Sequence, residues 1–569
     1  MRTYEQDAKT PGPPWPFTGR EEELERVRTS SAAGRPGIVV TAPAGHGKTR
    51  LITEAVRGTE HTRVTGTPEA RGLPFAAFAH LLPDTASPQR ALRILSGARL
   101  LVVDDAHLLD EASAAVVHQL AVHGRTRLVV AAVDDGSAPA AVSRLWTGEL
   151  LPRLDLEPLP REDVAQLLAA AGLEPLTVRR LHRMCRGDLR LLRDLVAALG
   201  PAGRLLPVPG TQERAWRGAL PVTPAVRERL APVLERPAPG ERAALERLAF
   251  AEPLPLAADD LDLDVLESLE ADGLVHVDDQ GAVTLAHPLH GPALRALTGR
   301  LRARRLAAGA PAGYGPALEA ERRLLLRRIE QLDVRPVPAP VGEWLVAEGT
   351  VLPAGYAAVR ARFARLRGEV RDAAAWAREG LREAPEDAAC AAELRLAGSG
   401  FGEDRGEDVY ARYDAVRLGA PEGAAGRLPA GGVLARHAQA LARGDGPALD
   451  RAAEGLEERG FLLFAAEARA QAVRVHRDPR AARVSRARAV ALARRCQGAR
   501  TPALAGLVLG ELTARQRQIV TLAAAGLSNR EIAERLTLSV RTVGNHLYSA
   551  YSRLGTGDRG ALPLLCASA

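Results

Sequence analysis

Lysine is nearly missing from this chain. Lys and Arg together number 76 in 569 residues, yet Lys9 and Lys48 are the only lysines. Positive charge is therefore carried almost wholly by arginine, which stays ionised and hydrogen-bonds through a planar fork. Asparagine is as scarce, confined to Asn529 and Asn545. The four cysteines, Cys185, Cys390, Cys496 and Cys566, stand far apart with no CxxC pair. That spacing argues against a zinc ribbon or a disulfide framework and predicts free thiols in a reducing compartment. Aromatic residues make up 4% of the chain, so the cores are built from Leu, Val and Ala, which favours helices over β-sandwiches. No apolar run reaches the ~18 residues of a membrane span, so no membrane partner is expected. Residues Met1 to Pro16 are proline-rich and lack the apolar segment of a signal peptide. A disordered tail over 1–17 and a cytoplasmic location are the expectation.

What is present points to soluble, multidomain protein. The length suits roughly four domains, and 46% hydrophobic with 25% charged residues is ordinary for globular protein. Net charge is +7 and the isoelectric point about 9.6. This permits nucleic-acid binding without proving it, because the arginines are spread along the chain.

Lys48 lies in the first informative stretch, residues 18–150. Thr18-Gly19-Arg20-Glu21 opens an amphipathic helix with Leu24 and Val27 inside. Ile38–Thr41 reads as a buried parallel strand. It runs into Ala42-Pro43-Ala44-Gly45-His46-Gly47-Lys48-Thr49, and a helix follows. This is a P-loop with Ala in place of the first Gly. Small residues let successive backbone N–H groups curl around a β-phosphate, and the helix N-terminus adds its dipole. Lys48 is expected to reach the β- and γ-phosphates of ATP, and Thr49 to ligate Mg²⁺. A second strand, Ala98–Val103, delivers Asp104 and Asp105 at its C-terminal end, where α/β sheets bind ligands. Asp104 is the candidate Mg²⁺ ligand through water, and Asp105 the candidate catalytic carboxylate beside the attacking water. Leu128–Val133 is a third strand of the same kind. At least two more strands must lie in sequence with no firm signature.

Both asparagines fall in the last domain, residues 506–569. Three helix starts can be read there. Thr513 with Gln516, and Ser528 with Glu531, have capping-box spacing, and Ser539 is a third N-cap. Ile519, Leu522 and Ala523 make one apolar stripe, and Ile532, Ala533 and Leu536 a second. Val543, Leu547, Ala550 and Leu554 make a third. The third helix turns Arg541, Asn545, Tyr548 and Ser552 outward. A recognition helix needs such a face, because major-groove base edges are read by hydrogen-bonding side chains. Seven arginines against four acids over Glu511–Arg559 suit phosphate contact. The pattern alone fits equally a plain three-helix bundle with a solvated face.

The residues themselves narrow this. LT-x-R, A-x-GLSN-x-EIA-x-x-L-x-LS-x-x-TV-x-x-H and LG closely resemble the DNA-binding domain of the LuxR family. Gln516 stands where the family usually has Glu, and Arg553 where it has Lys; both keep the hydrogen-bonding or charge character. The resemblance implies a DNA-binding set of Ser539, Arg541, Thr542, Gly544, Asn545, His546, Tyr548 and Arg553, with Thr542 and His546 seating the helix. TGRE, APAGHGKTRL, LPFAAFAHLLP and VVDDAHLLDEASAAVVHQL look like the large ATP-binding regulators of the same family, ATPases of the STAND class. The family's strand after Asp104–Asp105 typically ends in a γ-phosphate-sensing Arg. Here it reads Ala132-Val133-Asp134-Asp135, where an acid would repel phosphate, and Arg127 and Arg144 are the candidate substitutes. A second departure is Gly187-Asp188-Leu189, where the family has Gly-Asn-Pro. ATP binding is thus a firmer expectation than hydrolysis.

The middle of the chain is helical. Residues 151–205 read as a lid with two amphipathic helices, one following Pro160-Arg161-Glu162-Asp163 and one running from Thr177 to Leu199. The Pro-rich stretch 201–209 reads as a linker. Residues 206–300 read as a winged helix, with strands at Leu274–Val277 and Val283–His287 around a turn at Asp278–Gly281. In this class such a domain usually packs on the ATPase. His287 and His290 have no third ligand nearby in sequence and read as structural. Residues 301–505 read as a TPR-like sensor or oligomerisation region, with helix pairs at 356–388 and 440–473; a rigid spacer is the simpler alternative. Segment 394–432, rich in Gly, Ala and Pro, is expected to hold a mobile loop.

The fold class expected is multidomain α/β plus α: a P-loop NTPase parallel sheet, helical lid, winged helix, TPR-like region and C-terminal helix-turn-helix. The function expected is an ATP-binding bacterial transcription regulator, an activator in the first instance. Its partners would be double-stranded promoter DNA, a second copy of itself, RNA polymerase and an inducer of unknown chemistry. Residues 561–565 would supply a dimer contact. Two rivals are a nucleotide-independent DNA-binding regulator with a vestigial P-loop, and a motor-type ATPase acting on nucleic acid.

Overall fold

The structure, a computed structural model, describes residues 15, 17–83, 87–252, 254–255, 262–278, 281–308, 315–337, 339–399, 408–422, 424, 426–508, 514–536 and 538–554. The predicted tail over 1–17 falls almost entirely outside the described residues, as do Thr513, Cys566 and the segment 561–565. The chain divides into two compact units, 1–310 and 311–569.

Unit 1 opens on a five-stranded parallel sheet, β1 (Gly37–Thr41), β2 (Thr62–Thr65), β3 (Leu100–Asp104), β4 (Arg127–Ala132) and β5 (Arg153–Asp155), in the order β2-β3-β4-β1-β5. The three central strands are apolar at successive positions because both faces are covered. Alternation assigns the faces: Val39, Leu101, Val103, Leu128 and Val130 enter one core, while Ile38, Val40, Leu100, Val102 and Val129 enter the other. β2 and β5 are the two strands without a sequence signature. They lie at the sheet's edges and carry polar residues, Thr-Arg-Val-Thr and Arg-Leu-Asp.

After the sheet come the helices Arg161–Leu167, Pro175–Cys185 and Leu189–Leu199. The helix expected over Thr177–Leu199 is therefore two helices. Arg186 at φ 44 and Gly187 at φ 88 break it, and Asp188 caps the second by accepting from the amides of Arg190 and Leu191, 3.0 Å each. The stretch expected as a linker, 201–209, carries β6 (Leu205–Pro207), paired with β7 (Arg214–Trp216). Trp216 is fully buried there. Further on, β8 (Leu254–Pro255), β9 (Val275–Val277) and β10 (Ala282–Leu285) form an antiparallel sheet in the order β8-β10-β9. The helices Pro239–Ala251 and Leu263–Ala271 pack with it in one core. The rings of His287 and His290 lie 5.3 Å apart, tilted by 35°, and burial lowers both pKa values to about 4. Among the described residues no three His, Cys, Asp or Glu side chains converge to hold a metal, and no helix is long and apolar enough to cross a membrane.

Unit 2 is helical throughout its described residues. Ala354–Leu366 packs on Val370–Glu383, and Gly446–Glu458 on Leu462–Val475. The segment 394–432, expected to hold a mobile loop, also carries helix. Ala388–Ser399 and Val409–Arg417 are helices, the second capped by Asp408, and residues 400–407 lie outside the description. Cys185, Cys390 and Cys496 are buried free thiols, and burial pushes Cys185 and Cys390 up to about 12.

A polar chain runs through the core of this unit. The Tyr413 hydroxyl donates to His437 Nδ1 at 2.5 Å, His437 Nε2 donates to Gln471 Oε1 at 2.7 Å, and Gln471 donates to the Val416 carbonyl at 3.0 Å. Every donor has an acceptor only while His437 is neutral. Burial accordingly lowers its pKa to about 4. The unfolded chain binds the proton at higher pH, near 6.5. This contribution is full above that value and is lost as pH falls towards 4. Between pH 7.5 and 5, amide protection of residues 433–442, corrected for intrinsic exchange, is expected to fall about 30-fold. Hydrogen exchange read by mass spectrometry checks this; protection unchanged across that interval contradicts it.

Candidate nucleotide site and nucleic-acid interface

In unit 1 the C-terminal ends of β1 and β3 lie on one edge of the sheet. β1 passes into the loop 42–47, where Gly45 (φ 82) and Gly47 (φ 90) adopt the left-handed conformation. Such backbone turns amide groups inward, and the helix Lys48–Ala55 starts directly after it. Lys48 is 6% exposed. Its ammonium donates to the carbonyls of Ala42 at 2.8 Å and Pro43 at 3.0 Å. Desolvation lowers its pKa, while Asp105 and Asp104 work against the shift. Thr49 Oγ1 donates to Asp104 Oδ1 at 3.1 Å. Strand β3 thus brings a carboxylate to the hydroxyl of the loop's helix, the pairing a divalent cation on phosphates would use. Asp105 sits at φ 46, a strained position for a non-glycine residue. His46 is buried, with Nδ1 3.3 Å from the Ala44 carbonyl, and burial lowers its pKa.

The break between the helices Pro175–Cys185 and Leu189–Leu199 closes on this loop. The Leu189 amide donates to the Gly45 carbonyl at 3.0 Å. A Cβ on Gly45 would lie 2.1 Å from Asp188 Oδ1, and one on Gly187 would lie 2.7 Å from His46 Nε2. Only glycine at both positions permits the approach. Asp188 also pairs with Arg229, at the end of the helix Pro224–Arg229. Arg186 donates to the Ala286 carbonyl at 2.8 Å. The segment 186–189 therefore touches the loop, the helix Pro224–Arg229 and the segment after β10.

The structure amends the reading of the sensing residues. Arg127 begins β4 and donates to the carbonyls of Ser31 at 2.6 Å and Arg99 at 3.0 Å. That is the far edge of the sheet, away from Lys48. Arg127 therefore does not substitute for the missing arginine. Arg144 lies in the helix Ala140–Thr147 and acts on His118. Asp134 is not a bare acid, because Arg153 of β5 pairs with it at 2.7 Å. Two cations near Asp104 and Lys48 carry no motif and went unread in the sequence. Arg63 of β2 pairs with Asp104 at 2.5 Å, and Arg190, exposed at the start of its helix, acts electrostatically on Lys48.

In unit 2 the helices Ala514–Ala524, Asn529–Leu536 and Val540–Leu554 close around Ile519, Val520, Ile532, Val543, Leu547 and Ala550. Leu522 and Leu536 are only partly buried, and Val520, outside the expected stripe, is fully buried. The second helix has its capping box: Ser528 N donates to Glu531 Oε2 at 2.6 Å, and Glu531 N donates to Ser528 Oγ at 3.3 Å. Ser539 caps the third, its Oγ accepting from Thr542 N at 3.0 Å. Arg515 ties the first helix to the Leu536 carbonyl at 2.6 Å. Arg541, Asn545 and Tyr548 are exposed, the last by 79%. Thr542, Gly544 and His546 are half-buried beside them. The side chains of Ser552, Arg553 and Leu554 lie outside the description. The outward face is thus a guanidinium, an amide and a phenol, groups that donate to or accept from base edges.

Residues 510–564 match the family described as "Bacterial regulatory proteins, luxR family". The chain is 44% identical over 71 residues to "Putative HTH-type transcriptional regulator Mb0914c" of Mycobacterium bovis, covering 12% of this chain and 8% of that protein. It is 51% identical over 51 residues to "Putative HTH-type transcriptional regulator YhjB" of Escherichia coli, covering 9% of this chain and 26% of that one. The chain therefore matches these relatives over a small part of their length. Among solved structures, the Aeropyrum pernix ORC1 protein in complex with DNA is similar over 52% of this chain and 93% of that chain, at 14% identity and a TM-score of 0.29. A likeness that slight supports no conclusion about fold or function.

Proposed function

We propose that this chain, whose C-terminal segment is a LuxR-family DNA-binding domain, is an ATP-binding, sequence-specific transcription activator. Its N-terminal module would act as the nucleotide-dependent switch. The observation that carries the reading is the recognition helix. A Ser539-capped helix buries Val543, Leu547 and Ala550 and leaves Arg541, Asn545 and Tyr548 facing outward. Arg541 and Asn545 would read base edges in the major groove, and the surrounding arginines would bind phosphate.

For the switch, the loop 42–47 would hold the phosphates of ATP on its amides, with Lys48 as counter-charge. Thr49 and Asp104 would hold Mg²⁺, which when bound neutralises phosphate charge. Asp105 would orient water in a slow hydrolysis. The domains would follow the same order: P-loop core over 18–150, lid over 151–205, winged helix over 206–300, helical sensor or oligomerisation arm over 301–505 and DNA-binding domain over 506–569. Nucleotide and an inducer would open the module and promote self-association, so that paired C-terminal domains bind two half-sites and engage RNA polymerase on bacterial promoter DNA. Selection of bound genomic fragments by the full chain, with ATP, with ADP and with neither, tests this. Discrete sites enriched only with ATP support the whole reading. The same sites in all three conditions remove the switch, and no discrete sites remove sequence-specific recognition.

Leu189 offers a sharper test of the lid. It is the first residue of its helix, where proline is tolerated because the amide has no partner within the helix. Here that amide instead holds Gly45. Leu189→Pro deletes one hydrogen bond and spares the helix. Losing about 1 kcal/mol between lid and loop, bound nucleotide is expected to dissociate about fivefold faster. Stopped-flow chase of a fluorescent ADP measures this; an unchanged off-rate contradicts a lid that holds nucleotide through Gly45.

A further inference from the structure

Arg63 is the residue whose placement the proposed function leaves unexplained. It stands on edge strand β2, whose Thr65 pairs with Asp104 in the parallel ladder. Its side chain reaches forward so that Nη2 meets Asp104 Oδ2 at 2.5 Å, while Nη1 donates to Thr53 Oγ1 at 3.1 Å. Asp104 is 3% exposed. Its other oxygen, Oδ1, accepts from Thr49 Oγ1 and from the Asp105 amide, both at 3.1 Å. Each carboxylate oxygen thus has partners of a different kind. Oδ2 has a fixed cation, and Oδ1 has a neutral hydroxyl and an amide.

A buried carboxylate without a counter-charge is costly and draws in a cation. Arg63 removes that demand, because the guanidinium satisfies charge and geometry together. It also fixes the rotation of the carboxylate, leaving Oδ1 as the oxygen beside Thr49. We infer that Arg63 is an internal counter-cation that makes Mg²⁺ binding at Asp104 conditional on nucleotide, and that it aims Oδ1 at the metal. With Asp104 already neutralised, the metal gains too little from one hydroxyl and one paired carboxylate to stay. Phosphate oxygens supply the missing ligands and charge, so metal and nucleotide enter together. Arg63 is a positioning residue in this scheme. The inference rests on the proposed nucleotide site and adds the order in which that site fills.

The test uses the full chain with Mn²⁺ as the probe, read by electron paramagnetic resonance, and ADP binding followed in parallel by calorimetry. Wild type is expected to bind no Mn²⁺ alone and to bind it once ADP is added. Arg63→Gln, which keeps hydrogen-bonding groups and removes the charge, is expected to bind Mn²⁺ without nucleotide, at least about tenfold tighter than the detection limit that wild type fails to reach, the scale of one neighbouring charge. Arg63→Lys keeps the charge and is expected to behave as wild type. Adding Asp104→Asn to Arg63→Gln is expected to abolish the gain. Mn²⁺ bound by wild type without ADP overturns the inference whether or not the variants fold, as does an equal gain in Arg63→Lys. No ADP binding by wild type overturns instead the nucleotide site beneath it.

Discussion

Lys48→Ala is expected to weaken ATP binding by roughly 100- to 1000-fold. The estimate comes from losing two or three charge-assisted hydrogen bonds to phosphate, each worth about 1.5–3 kcal/mol before compensation. Its buried position sharpens the expectation. The residue is 6% exposed, and its ammonium donates to the carbonyls of Ala42 and Pro43. Phosphate oxygens are better acceptors than either, so binding exchanges weak partners for strong ones. The substitution also leaves both carbonyls short of a donor, which by itself costs about 1–3 kcal/mol of stability. Thermal unfolding without nucleotide measures that second effect separately. Calorimetric titration with ATP measures the first. A dissociation constant within about threefold of wild type would mean that the loop is vestigial.

Asn545→Ala is expected to relax sequence preference more than it weakens binding. The side chain is exposed on the third helix, one turn beyond Arg541 and one before Tyr548. An amide in that place can pair with adenine through two hydrogen bonds, worth about 1–3 kcal/mol of discrimination. Affinity for a selected site should therefore fall about 5- to 100-fold while affinity for random duplex barely moves. Arg541→Ala, by contrast, removes a positive charge as well as a base contact and should weaken binding to both. Competition anisotropy with selected and random duplexes separates the two. Equal losses on both duplexes for Asn545→Ala would contradict base reading by this residue.

How much of this could be read from sequence depended on burial. β1, β3 and β4 were legible because both faces are covered and successive apolar residues have no other use. β2 and β5 were not, since edge strands of four and three residues keep polar side chains. The carboxylates and Lys48 were legible as motif, and the structure brings Lys48, Thr49 and Asp104 to one edge of the sheet. Arg63 and Arg153 were invisible, because their partners Asp104 and Asp134 lie elsewhere in the chain and neither spacing has a signature. The error over Arg127 was avoidable. It is the first residue of its strand, and in a parallel sheet ligand-binding groups follow the strands. The break at Arg186-Gly187-Asp188 was half legible. A glycine followed by a capping acid is a stop and a start, yet the apolar periodicity on both sides reads as one helix.

The two units meet in one claim, that nucleotide at Lys48 governs DNA binding by the third C-terminal helix. Fluorescence anisotropy of one selected duplex, titrated with the full chain in ATP and in ADP, measures it directly. Wild type is expected to bind at least about tenfold tighter with ATP, a coupling of about 1.4 kcal/mol, and Lys48→Ala is expected to bind equally in both. Equal affinity of the wild type in ATP and in ADP, with nucleotide binding verified in the same samples, would contradict it.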